Sequence, residues 1–347
     1  MKTLVWGAVP VLALTGLVTM DSIPGTDIRL TVPYAAEGPG PTFNTLGQVD
    51  GQDVVEVTGE PADDTSGNLN MTTVSVRSNM TLAQALGRWL TTDDTLVPAE
   101  QVFPPDRSPE EIQESNQQAF TASEAAATVA AMNHLGRAVE IEVAGVIEDS
   151  AASTHVEIGD LIRAVDETQV DQPGQVRDLV QDKTPGEDIV LSLERDGRVL
   201  EHTVTLGPHP GDPSVALLGI TMTSEPTDEV SVNYNLRDIG GPSAGMMFSL
   251  AVIDKLSPGE LNGGRFVAGT GTISEDGTVG PVGGVVHKVR ASREVGAELF
   301  LAPAANCAEA VSRDHGDLVV ARVETLVDAI NQMDRFAAGE EVDPCEP

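Results

Sequence analysis

Basic residues are scarce in this chain. Its 347 residues include 20 Lys+Arg against 54 Asp+Glu, a net charge of −34. That deficit removes the electrostatic footprint a phosphate backbone requires, so nucleic acid is not an expected partner. The acid excess is spread along the chain, which argues against peripheral adhesion of the body to anionic lipid. Cysteine is nearly missing. Cys307 and Cys345 are too few for a disulfide scaffold, and no CxxC or Cys/His cluster suggests a metal, so none is expected. The sequence leaves two states open for this pair: one bridge tying down the C-terminal end, or two free thiols. Aromatic residues make up 3%, and the hydrophobic share of 40% is modest. Val, Leu, Ala and Ile nevertheless recur throughout, which excludes global disorder. The phosphate-binding pattern G-x-x-x-x-G-K-[ST] does not occur, and no cofactor is expected.

The length exceeds what one core usually serves, so two domains are expected. Leu4 to Met20 carry no charge, with Lys2 before them and Asp21 and Asp27 after. At ~1.5 Å per residue this run reaches the short end of a bilayer span. No A-x-A cleavage signal follows at Thr19–Ser22. Residues 1–25 therefore read as an uncleaved signal-anchor. The basic N-terminal flank places the body of the chain on the outer side of a cytoplasmic membrane.

Residues 26–135 alternate strand and helix patterns. Leu69–Val76 reads as a strand, Thr81–Leu90 as a helix with Thr81 as its N-cap, and Pro109 to about Leu135 as a longer helix. From Val139 to Leu206 the texture becomes β-rich, with a helix near Gln175–Asp182 and a hairpin turn at Asp196–Gly197. The last third, residues 208–335, alternates strand and helix in α/β fashion. An acidic tail, residues 336–347, is expected to fray.

The chemistry concentrates at Gly241-Pro242-Ser243-Ala244-Gly245. Small neighbours let a substrate backbone approach the Ser243 hydroxyl. Gly241, Pro242 and Ala244 frame an oxyanion loop, and the following helix offers free N–H groups and a positive dipole end. The plain structural alternative is a small-residue turn that Ser243 merely caps. A nucleophilic serine needs a base. One reading treats the pentapeptide as a G-x-S-x-G elbow, served by Asp314 and His315, or by His287. Few residues follow Ser243, too few for the rest of such a hydrolase. The other reading uses Lys288, set among Val285, Val286 and Val289. Burial there would lower its pKa toward working pH; a solvent-reaching lysine is the plain alternative. His287 is expected to face solvent. Asp238 is a loop carboxylate ahead of the serine.

The segments GGPSAG, AGTGTISEDGTVGPVGGVVHK and GAELFLAPAAN, in that order, resemble the proteolytic domain of the Lon family over about residues 230–333. The resemblance implies Ser243 as nucleophile, Lys288 as general base and Thr270 as its auxiliary. It departs from the family pattern at Val286, where a first lysine is expected. Residues 136–207 resemble a bacterial PDZ domain through Ser150–Ser153, Gly159-Asp160 and the helix after Gln175, without a marked Gly-rich carboxylate loop before Val139. With VPYAAEGPGPTFNTLG and LNMTTVSV, the whole chain resembles bacterial membrane-anchored PDZ–Lon proteins. The implied fold is an α/β (α+β) Lon-like domain with a small β-rich PDZ-like domain, preceded by one transmembrane helix. Residues 60–135 resemble the front half of the Lon-like domain, which makes the PDZ-like part an insertion. The expected activity is ATP-independent serine endopeptidase action on unfolded or membrane-associated segments. Expected partners are polypeptide substrates, a peptide at the PDZ-like domain, the membrane and a homo-oligomeric ring. A non-catalytic PDZ adaptor and a Ser-His-Asp esterase are the alternatives.

Overall fold

A computed structural model describes residues 15–347 apart from 27, 64, 106, 228, 229, 237 and 238. Most of the Leu4–Met20 run, and Asp238, lie outside the described residues. Among the described residues no helix is long and apolar enough to cross a membrane. The expected transmembrane helix falls mostly on residues outside the described ones; of its run residues 15–20 are described, 15–19 as a short helix.

In chain order the elements that build the molecule are strand β1 (Tyr34–Asn44), β2 (Val55–Thr58), β3 (Asn68–Arg77), helix α1 (Leu82–Thr91), β4 (Thr95–Pro98) and α2 (Pro109–His134). Next come β5 (Val139–Val146), β6 (Leu161–Val165), α3 (Pro173–Gln181), β7 (Asp188–Arg195), β8 (Arg198–Thr205) and β9 (Ile220–Pro226). Then follow β10 (Ser231–Tyr234), α4 (Gly245–Leu256), β11 (Phe266–Gly269), α5 (Val285–Glu294), β14 (Leu299–Pro303), β15 (Val319–Val323) and α6 (Leu326–Ala337). The short pair β12 (Thr272–Ile273) and β13 (Val279–Gly280) forms a hairpin between β11 and α5.

One six-stranded sheet runs β4-β1-β3-β11-β14-β15. Three of its strands precede residue 139 and three follow residue 226. The β1 pairings are antiparallel, whereas β3, β11, β14 and β15 run parallel. Parallel strands need cover on both faces, and β14 (LFLAP) is buried along its whole length. Alternation then sorts its side chains. Leu299 and Leu301 join the core under α4 and α6, while Phe300 and Ala302 pack with Val285 and Val289 of α5. The long helix α2 lies against α4, with Phe120 edge-on to Phe248 at 5.8 Å and Ala127, Ala130 and Ala131 buried. Its start is fixed by a capping box, in which Ser108 accepts from the Glu111 N–H and Glu111 reaches back.

A second, antiparallel sheet runs β8-β7-β6-β5-β9 around Ile141, Val143, Ile162, Leu191 and Leu193, capped by Val176 and Val180 of α3. Its β7–β8 turn places Asp196 at φ 53° and Gly197 at φ 72°, the two left-handed positions a type I′ hairpin demands. Helix α2 delivers the chain into this sheet and β9 leads it back out through β10.

The C-terminal tail is docked, not frayed. Arg322 N–H donates to the Asp343 carbonyl and Cys345 N–H to that of Val320. Cys345 is bonded to Cys307, which resolves the open question of the two thiols in favour of a bridge.

Candidate active site

Three elements from distant parts of the sequence meet at Ser243. Its loop precedes α4 and is held from behind by α2: the Gly241 N–H donates to the Asn116 carbonyl at 2.9 Å, and Ser123 Oγ donates to the Pro242 carbonyl at 3.0 Å. Gly241 sits at φ +87°, a conformation that disfavours a side chain. Gly245 is required for a different reason. A Cβ there would lie 2.6 Å from both Ile273 Cγ2 and Ser123 Oγ. The helix can therefore begin directly behind the serine.

Thr270 follows the end of β11. Its hydroxyl donates to the Ser243 carbonyl at 2.9 Å, and the Gly271 N–H donates to the same oxygen at 3.0 Å. Lys288 enters from the first turn of α5. Its Nζ lies 2.7 Å from Ser243 Oγ and 2.8 Å from Thr270 Oγ1. Thr270 and Lys288 are buried, the latter 2% exposed. Burial pushes the Lys288 ammonium down from 10.5 to about 7. The threonine spends its one proton on the Ser243 carbonyl, so it can only accept from Lys288. That fixes one N–H of the amine and leaves the lone pair of neutral Lys288 for the Ser243 hydroxyl proton.

Ser243 and Lys288 open onto a cleft of about 660 Å³, with Thr270 buried behind them. Pro41, Phe43, Met71, Val74 and Val282 supply apolar walls, and no carboxylate among the described residues lines it. Gly241, Pro242 and Ala244 line it beside Ser243. Helix α4 begins at this loop, so its positive dipole end lies beside Ser243, suited to a developing oxyanion.

The histidine readings fare differently. His287 is buried, not solvated, at 1% exposure. Its Nε2 meets Thr95 Oγ1 at 3.0 Å, because β4 covers the flank of α5 that helical geometry alone leaves open. His315 Nδ1 meets the Leu318 carbonyl, and Asp314 pairs with Arg293. Neither histidine hydrogen-bonds to Ser243, so the esterase triad is not assembled. Sequence reasoning missed Asn116 and Ser123, which hold the serine loop. A serine within an Ala-rich helix gives no local sign of a partner more than a hundred residues away.

Residues 237–332 match the family model of the Lon protease (S16) C-terminal proteolytic domain, and residues 114–206 that of the PDZ domain. Similar curated proteins include Lon protease 2 of Bacillus subtilis (strain 168), 28% identical over 115 residues, which are 33% of this chain and 20% of that protein. Another is an archaeal Lon protease of Methanothermobacter thermautotrophicus, 37% identical over 94 residues, 26% of this chain and 14% of that protein. The chain thus spans a fifth or less of the length of these relatives. Among solved structures, the PDZ domain of an SdrC-like protein from Listeria monocytogenes is 19% identical and covers 24% of this chain and 85% of its own, with a TM-score of 0.22. The chain carries a Lon-type proteolytic segment and a PDZ segment.

Proposed function

We propose that this chain is an ATP-independent serine endopeptidase working through a Ser243–Lys288 dyad. The observation that carries the reading is the contact of a buried lysine, with a pKa brought to about 7, 2.7 Å from a serine hydroxyl in an open cleft. Lys288 takes the Oγ proton as Ser243 attacks a peptide carbonyl carbon, then returns it to the departing amine. Thr270 orients the amine. Backbone N–H groups at the start of α4 hold the oxyanion. Water, activated by the same lysine, releases the acyl group and restores the hydroxyl.

The chain contains no nucleotide-phosphate loop, so the substrates in this reading are unfolded, flexible or membrane-released polypeptides. The PDZ segment presents them or gates the cleft. The Leu4–Met20 run anchors the protein, with its body outside the cytoplasm. The Cys307–Cys345 bridge supports that placement, since such bonds persist in oxidising compartments.

The test compares the full chain with Ser243→Ala and Lys288→Ala on unfolded casein without ATP, with folding checked by circular dichroism. Cleavage is expected from the parent protein alone. Full activity in a folded Lys288→Ala protein would overturn the dyad, and peptide binding with no cleavage by any of the three would favour a PDZ adaptor.

A further inference from the structure

Helix α1 turns its apolar side outward. Leu82, Leu86, Trp89 and Leu90 are spaced to share one stripe about 100° wide. They are 43%, 41%, 64% and 70% exposed. The side toward the protein is served by Ala85, which packs with Ala36 and Met80. Amphipathic helices bury their apolar stripe, so this one is built for a partner.

Position, charge and side-chain type identify that partner. Thr31 bridges Thr81, the N-cap of α1, and the Val32 N–H donates to the Met80 carbonyl. Asp21 and Ser22 lie beside Arg29 and Leu30 through the Ser22–Arg29 bridge and the Leu30 N–H to Asp21 carbonyl bond. The end of the uncharged Leu4–Met20 run is thereby returned to the neighbourhood of α1. Leu17, Met20 and Ile28 are exposed there as well. In a chain with 54 Asp+Glu, residues 65–92 contain none and carry Arg77 and Arg88. The stripe itself carries no carboxylate; Asp93 and Asp94 follow α1, and Asp94 is paired with Arg88, so the stripe adds little of the repulsion that keeps the acidic body off anionic lipid. Finally, the chain has two tryptophans, Trp6 in the apolar run and Trp89 on the stripe. An indole, with an apolar body and one N–H, suits the headgroup boundary.

We propose that α1 lies flat in the headgroup layer of the bilayer, with Leu82, Leu86, Trp89 and Leu90 seated in lipid. The proposal rests on the reading of Leu4–Met20 as an anchor. A lone tether lets the body swing; a second contact fixes which side faces the membrane.

The test uses the full chain reconstituted in phosphatidylcholine vesicles with a minor fraction of phosphatidylglycerol. Trp6→Phe leaves Trp89 as the single tryptophan, excited selectively at about 295 nm. Blue-shifted emission is expected, with quenching by lipids brominated near the headgroups and several-fold protection from aqueous iodide. Leu86→Asp with Leu90→Asp, at exposed positions, should abolish that quenching while circular dichroism is unchanged. A second reporter, Leu12→Trp in a Trp6→Phe, Trp89→Phe background, reads the anchor alone through lipids brominated near the bilayer centre. Trp89 open to iodide while the Leu12→Trp reporter is deep would overturn the proposal and leave the anchor standing. Both reporters in water would overturn both. Protection of Trp89 from iodide without bromine quenching would also overturn it, assigning the stripe to another part of the chain or a second copy.

Discussion

Replacing Lys288 by methionine should abolish cleavage and stabilise the fold, by an amount set by pH. The two side chains are similar in length, and Lys288 is buried. Lowering the lysine from 10.5 to about 7 corresponds to a burial penalty on the order of 5 kcal/mol on its charged form. Below about pH 7 the amine is protonated in both folded and unfolded states, and the folded state bears the whole penalty. Between about 7 and 10.5 the unfolded chain holds one proton more than the folded one. Stability of the parent protein therefore rises there by about 1.4 kcal/mol per pH unit from this group. Methionine carries no such term. Its gain is offset by two hydroxyls, Ser243 and Thr270, that lose Lys288 as a partner, at about 1–3 kcal/mol each. The net expectation is a more stable Lys288→Met protein at pH 6, with the advantage shrinking and reversing by about pH 10. Urea unfolding followed by circular dichroism at pH 6, 8 and 9.5 reads it. A stability difference independent of pH would show that Lys288 is not desolvated in the folded protein, and the argument for its neutrality would fail.

Thr270→Val keeps shape but removes the acceptor that orients the amine; kcat should fall about 10- to 100-fold with KM little changed, and Thr270→Ser should restore most of it, as steady-state kinetics on a fluorogenic peptide would show. Cys345→Ser opens a loop with a sequence separation of 38 and should cost about 3–4 kcal/mol, measured by denaturant unfolding, with no difference between the proteins after full reduction.

Much of the site was legible because its chemistry is local in sequence. The Gly-rich loop around Ser243 and the valine-flanked Lys288 by themselves leave a capping serine and a solvent-reaching lysine open, and the ordered segments that resemble the Lon family are what single out Ser243, Thr270 and Lys288; α2 was legible from Pro109 to its Ala-rich end. The misreadings share one cause. His287 looked exposed because its cover, Thr95, stands 192 residues away on β4. The tail looked frayed because acidic composition says nothing of a backbone pairing with β15 or of the partner of Cys345. Asn116 and Ser123 gave no sign because their role is to donate or accept one bond to a distant loop. Periodicity reports which face is apolar; it does not report what arrives to cover it. Helix α1 is the converse case, where the same periodicity is strong and its cover is not among the described residues.

A neutral lysine in a chain of net charge −34 poses an electrostatic question, because surrounding carboxylates favour the ammonium. The site answers it by exclusion. Among the described residues no carboxylate lines the cleft, and burial is the cause of the lowered pKa of Lys288. The acidic surface acts from a distance, and salt weakens such action: the screening length falls from about 10 Å at 0.1 M to about 3 Å at 1 M. If dryness sets the pKa, the acid limb of kcat/KM should stand near pH 7 and move by less than about half a unit over that range of salt. The small movement should be downward, since salt removes a field that favours the proton. An acid limb that falls by more than a unit in high salt would mean that the acidic surface, and not the wall of the cleft, controls the base.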